Sequence, residues 1–184
     1  MNINLEIKKT IKSNLKYILK LRNKKKLKKD KSFVSKGDIF IQNKIKEILK
    51  KNFRKSSFIL VSEENLTKNK INYDDYENIF ILDPIDGTEN FVSGIPLWGI
   101  SFCWYKKNKH KDSLIYLPEI NQSISKKYKK YKYVSRIIGL SSSNNKLIKS
   151  FKNLNEVRIT GCCIYNIYNV LHGKFSSYSN KKAN

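Results

Sequence analysis

Two short apolar runs, each ending in acids, constrain this chain more than any other feature. Phe58-Ile59-Leu60-Val61 leads into Ser62-Glu63-Glu64, and Ile79-Phe80-Ile81-Leu82 leads into Asp83-Pro84-Ile85-Asp86-Gly87-Thr88-Glu89-Asn90-Phe91. Continuous apolar runs of this length, rich in β-branched and aromatic residues, read as short buried strands. Both strands therefore deliver carboxylates at their ends, and clustered anionic oxygens are what a hard divalent cation takes. Pro84 restricts the backbone between the two aspartates and favours a turn, which can aim the Ile85 carbonyl at the same ion. Gly87 and Thr88 follow at an expected helix start, where orphan N–H donors and the helix dipole stabilise a phosphate. The pattern points to metal-assisted chemistry on a phosphate. Asp83, Asp86 and Glu63 are the candidate carboxylate ligands, Ile85 the carbonyl ligand, and Gly87 and Thr88 the phosphate donors. The Thr88 hydroxyl is also a candidate to hydrogen-bond an attacking water, with Asp38, at its own helix start, as its partner.

The rest of the chain supplies a frame for such a site. Ile3, Ile7, Ile11, Leu15, Ile18 and Leu19 recur at three- and four-residue spacing and predict an amphipathic helix over 3–22. A second helix is expected from about Asp38 to Phe53, then strands at 57–61, 79–82, 99–105 and 113–118. Residues 121–132 read as polar and irregular, 133–140 as a strand, and 144–152 as a short helix. A brief strand at 157–160 precedes a helix opened by Gly161, and a last strand covers 175–179. This order argues for α/β or α+β layering in one domain of 184 residues. Its N-terminal part, 1–105, carries the motifs, and 106–184 forms the C-terminal part.

The net charge of +23 is the loudest compositional signal and invites a nucleic-acid reading. Only Arg22, Arg54, Arg136 and Arg158 are arginines, the usual readers of base edges. Lysine, asparagine and isoleucine share AT-rich codons, so a genome-wide bias is the plainer explanation, and no specific nucleic-acid partner is expected. Tyr128, Tyr131 and Tyr133 among lysines form the one basic-aromatic stretch. No apolar run approaches the ~18 residues of a membrane span, and no signal-peptide core precedes the first helix. Cys103, Cys162 and Cys163 lack disulfide or metal-ligand spacing, so a reducing cytoplasmic setting is expected. Cys162 and Cys163 read as small core residues at a helix start, His110 and Glu64 as surface residues, Lys36 as solvated, and His172 as a helix C-terminal dipole partner.

Asp83-Pro-Ile-Asp-Gly-Thr-Glu-Asn-Phe91, followed by Gly94-Ile-Pro96, resembles the signature of the inositol monophosphatase family. Val34-Ser-Lys-Gly-Asp38 resembles the segment carrying that family's water-activating Asp, and Ser62-Glu-Glu64 its Gly-Glu-Glu. Arg158-Ile-Thr-Gly161 resembles the later Arg-x-x-Gly that opens a helix lining the substrate pocket. The resemblance implies a layered αβαβα fold, shared with fructose-1,6-bisphosphatase and the bisphosphate nucleotidases. It implies a Mg²⁺-dependent phosphomonoesterase acting on inositol monophosphate or a similar small phosphate ester, often as a homodimer. By the same resemblance, Glu63, Asp83 and Asp86 with the Ile85 carbonyl hold Mg²⁺, Gly87 and Thr88 take phosphate, and Asp38 with Thr88 orients the nucleophilic water.

The chain also departs from that family. The family carries a later Trp-Asp motif whose Asp is another metal ligand, and the two tryptophans here, Trp98 and Trp104, are not followed by Asp. Gly173-Lys-Phe-Ser-Ser-Tyr178 resembles the strand leading up to that motif. The expectation is a C-terminally incomplete phosphatase whose activity is impaired, since loss of a charged ligand weakens a two-metal site. A 3′(2′),5′-bisphosphate nucleotidase is the runner-up, although Glu89-Asn90-Phe91 resembles the inositol monophosphatase branch. An inactive remnant binding polyanions through its lysines is the rival from another class.

Overall fold

Isoleucines spaced for one helical stripe build α1 (Ile3–Lys20), which buries Ile3, Ile7, Ile11 and Ile18. Asn2 caps it, its side-chain oxygen accepting from the Leu5 amide at 3.0 Å. The computed structural model describes residues 2–27, 33–65, 71–125, 135–141 and 156–180. A short antiparallel ladder follows, β1 (Lys25–Leu27) with β2 (Phe33–Ser35). Three-residue strands in a lysine-rich stretch carry no periodicity, which is why the sequence shows no strand signal there. α2 (Lys36–Asn52) then lies against α1 and buries Ile41, Ile45, Ile48 and Leu49.

The main sheet has five strands in the order β3 (Phe58–Ser62), β4 (Asn78–Asp86), β5 (Gly99–Lys106), β6 (Lys109–Leu117) and β7 (Gln122–Ser125). β3 runs parallel to β4, and the remaining pairs are antiparallel. Phe80 and Leu82 of β4 stand opposite Trp104 and Phe102 of β5, and Phe102 stands opposite Leu114 of β6. That face, with Ile100 and Tyr116, packs on α1 and α2 to form the principal core. The β5–β6 hairpin crosses the expected division at residue 105, so one sheet spans both parts of the chain.

α3 (Thr88–Val92) puts Phe91 into the principal core and meets β2, whereas on the opposite face α4 (Cys163–Leu171) packs on β5 and β6. Leu117, Ile124, Cys162, Ile164 and Tyr168 form a second core there. α4 also meets β10 (Ser177–Ser179), which belongs to a parallel three-stranded sheet in the order β10, β8 (Ile137–Leu140), β9 (Glu156–Arg158). Among the described residues the layers thus run helix pair, sheet, helix, sheet, and the layered α/β class expected from the sequence is the class observed.

Two further elements differ from expectation. β4 does not end at Leu82 but continues to Asp86 through a register shift after Asp83, and the sharp turn falls at Gly87. Residues 122–125, expected to be irregular, pair as β7 because Ile124 packs into the second core. The expected helix at 144–152 and the tyrosine-lysine stretch at 128–133 lie outside the described residues.

Candidate active site

Parallel pairing is what gathers the acids. The β3–β4 ladder ends with Ser62 opposite Leu82, so Glu63 and Asp83 are the next residues at the same sheet edge. After the register shift, Asp86 stands opposite Gly99. Burial, then the charges of Asp86, Glu63 and Asp38, push the Asp83 carboxyl up from 3.8 to about 8. Burial, outweighing its Ser35 hydrogen bonds and reinforced by Glu64, pushes Asp38 up to about 6. Asp86 is raised as well, chiefly by burial and further by Glu63. The largest charge effects on Asp83 come from acids, so the cluster gathers carboxylates at one end of the sheet.

Each acid is held by a local device. Asp38 is 1% exposed and completes a capping box on α2: its Oδ2 accepts from the Ser35 amide at 2.8 Å and the Ser35 hydroxyl at 2.7 Å. Asp83 Oδ1 accepts from the Ile85 amide at 3.1 Å, an Asx turn that shapes the Pro84 bend. The Thr88 hydroxyl donates to the Ile85 carbonyl at 3.0 Å. Gly87 has φ +84°, and a Cβ there would lie 3.0 Å from Cys162 Cβ and 3.1 Å from the Leu97 carbonyl, so both conformation and space call for glycine. Asp86 Oδ2 accepts from the Ile164 amide in the first turn of α4 at 2.5 Å and from the Cys162 thiol at 3.3 Å.

The residues singled out in the sequence fall into one region, but they do not close into a ligand cage. Among the described residues no group of three His, Cys, Asp or Glu side chains is gathered as a metal site. Asp86 is turned towards α4, and Glu63 is exposed in a 3₁₀ turn beyond β3. Thr88 is bonded to Ile85 and Asp38 to Ser35, so the two are not bonded to each other. The expected phosphate helix is the single turn α3, where Gly87 and Thr88 stand at the start and the first amides have no intrahelical acceptor.

Other sequence readings meet the structure as follows. Cys162 is 2% exposed and sits in the second core, where burial pushes its thiol far up. His172 is the C-cap of α4, its Nδ1 2.9 Å from the Tyr168 carbonyl. Lys36 and His110 are exposed. Sequence reasoning missed Asn90, which is 8% exposed and donates to the carbonyls of Leu97 at 2.7 Å and Thr160 at 2.8 Å. It also missed Glu119, which accepts from both Arg22 and Trp98. Asn90 lies inside the acidic nonapeptide, but its partners are 7 and 70 residues away, and no periodicity reports such a link.

The donor set fits a hard divalent cation in chemistry and charge: three carboxylates and a carbonyl lie at one sheet edge, with mutual repulsion that a cation would relieve. The chain matches the model of the inositol monophosphatase family over residues 1–165, and it belongs to that family. A Thermotoga maritima fructose-1,6-bisphosphatase/inositol-1-monophosphatase is 31% identical over 62 residues, covering 34% of this chain and 24% of that protein. A Pyrococcus furiosus fructose-1,6-bisphosphatase is 43% identical over 42 residues, 23% of this chain and 16% of the relative. These matches thus span a quarter or less of the curated proteins. A staphylococcal inositol monophosphatase-1 superposes with a TM-score of 0.76 at 18% identity, covering 91% of this chain and 68% of that one. The Bartonella henselae extragenic suppressor protein suhB superposes with a TM-score of 0.73 at 20% identity, covering 95% and 75%.

Proposed function

We propose that this chain is a Mg²⁺-dependent phosphomonoesterase acting on inositol monophosphate or a similar small phosphate ester. The observation that carries the reading is the gathering of Glu63, Asp83 and Asp86 at the ends of β3 and β4, beside the Gly87 turn. Family membership supports it, and one structural neighbour of 19% identity is described as an IMPase/NADP phosphatase complexed with Mg²⁺ and phosphate. Glu63, Asp83, Asp86 and the Ile85 carbonyl would hold Mg²⁺, which when bound supplies Lewis acidity towards the ester and its nucleophile. Gly87 and the first amides of α3 would take phosphate oxygens. Asp38, raised to about 6, is poised near neutrality to accept a proton from the attacking water. Thr88, on leaving the Ile85 carbonyl, would orient that water. The substrate is a small soluble phosphate ester, and a homodimer in a cytoplasmic setting fits the reading. Among the described helices none is long and apolar enough to cross a membrane.

The test is phosphate release from inositol 1-phosphate by the 184-residue chain, with Mg²⁺ and with EDTA, beside Asp86→Asn. The runner-up is tested with 3′,5′-bisphosphoadenosine as second substrate. Mg²⁺-dependent release that the variant loses is the expected result. A folded chain without release, or release indifferent to EDTA and to the variant, overturns the reading.

A further inference from the structure

The start of α4 and the turn after β4 interlock at one residue that the proposed chemistry does not use. Gly161 has φ +74° and brings the chain back beneath Asn90, whose amide already ties Leu97 to Thr160. Cys162 follows as the N-cap of α4. Its sulfur accepts from the Tyr165 amide at 3.4 Å, which uses a lone pair and leaves the S–H free to donate elsewhere. The acceptors within reach are both on Asp86: Oδ2 at 3.3 Å and the main-chain carbonyl at 3.5 Å. Oδ2 also takes the Ile164 amide, the second donor from the same helix start. The Cys162 Cβ meanwhile packs where a side chain on Gly87 would be. The thiol therefore touches one proposed metal ligand and the turn proposed to bind phosphate.

We propose that Cys162 is a positioning residue for Asp86: together with the Ile164 amide it fixes the carboxylate's orientation from the N-terminus of α4. The inference rests on the reading of Asp86 as a metal ligand. Cysteine is not a preferred N-cap residue, and apolar packing alone would be served as well by valine or alanine. The thiol makes two polar contacts that these lack: it caps the Tyr165 amide, which serves the helix, and it donates to Asp86, which bears on the carboxylate. An Asp86 freed of it samples other rotamers and binds a cation at an entropic disadvantage. Serine keeps the donor on a similar frame. Valine keeps the bulk and loses both the donor to Asp86 and the cap on Tyr165, the second of which reads out in thermal unfolding.

The experiment is Mn²⁺ binding by the full chain, read from the electron paramagnetic resonance of free Mn²⁺, with metal-free thermal unfolding alongside. C162V and C162A are expected to weaken Mn²⁺ binding about fivefold to tenfold, the loss of one hydrogen bond from a weak S–H donor, and C162S to stay within about twofold of the parent. A purely structural thiol would lower the unfolding temperature in C162A and leave Mn²⁺ affinity unchanged. Folded C162V and C162A that bind like the parent, while Asp86→Asn has lost binding, overturn the positioning role and leave the ligand role intact. Asp86→Asn binding Mn²⁺ like the parent removes the ligand reading and this inference with it.

Discussion

Asp83→Asn is the most informative single substitution, because the structure gives it opposite consequences for stability and for metal binding. The amide keeps an acceptor oxygen for the Ile85 N–H, which Asp83 Oδ1 now binds at 3.1 Å, so the turn survives. What changes is charge. Asp83 is raised from 3.8 to about 8 by burial and by three acidic neighbours. Between those two values the folded chain binds more protons at this site than the unfolded chain, so metal-free stability falls as pH rises from about 4 to about 8. At ~1.4 kcal/mol per pH unit, the gap of about 4 between 3.8 and 8 sets a ceiling of roughly 6 kcal/mol. Water entry and small side-chain movements relieve much of that, and about 1–3 kcal/mol is the expected gain for the variant at pH 8 without metal. The gain should shrink towards pH 4.5, where the parent's Asp83 is protonated in the fold. Urea unfolding at pH 8 and pH 4.5, in EDTA and in Mg²⁺, measures all four states. The parent should gain stability from Mg²⁺, by about 2.7 kcal/mol at a hundredfold excess over its dissociation constant. The variant should gain little. An Asp83→Asn chain less stable than the parent at pH 8 in EDTA would refute the electrostatic reasoning.

Two further substitutions probe the frame. Asn90→Ala removes two buried hydrogen bonds and strands the Leu97 and Thr160 carbonyls; urea unfolding should show a loss of about 2–4 kcal/mol, and a loss below about 0.5 kcal/mol would mean water replaces the side chain. Gly87→Ala puts a Cβ 3.0 Å from Cys162 at φ +84°; it should cost about 1–2 kcal/mol in the same assay and weaken binding of inorganic phosphate, read calorimetrically in Mg²⁺.

Much of this architecture is legible because it is locally encoded. Isoleucine spacing in 3–20 and 36–52 reports the two helices, and the apolar runs at 58–61 and 79–82 report two central strands. Strand boundaries were harder to read, since Pro84 argues for a turn while β4 absorbs it in a register shift and continues to Asp86. β7 carries little strand signal because only Ile124 among its four residues enters the core. The direction of pairing was not legible either. Nothing in the apolar runs says that β3 and β4 are parallel, yet that direction decides whether Glu63 and Asp83 meet at one edge or stand at opposite ends.

The same distinction between local and distant encoding governs the site. Asp38, Asp83, Ile85, Gly87 and Thr88 are set by contacts within three residues: the capping box, the Asx turn, the Thr88–Ile85 bond and the left-handed glycine. Their geometry is implicit in the motifs themselves. Asp86 is different, because its orientation comes from partners 76 and 78 residues away at the start of α4. Asn90 bridges the same gap from the other side, holding Thr160 just before Gly161 and Cys162. A ligand anchored to a separate layer couples the acidic edge to the packing of that layer. Substitutions in the second core, such as Tyr168→Ala, should therefore reach Asp86 through α4 although they touch no acid. A loss of Mn²⁺ affinity in such a variant, with the fold retained, would trace that path, and an unchanged affinity would show that the helix start holds its place without the core beneath it.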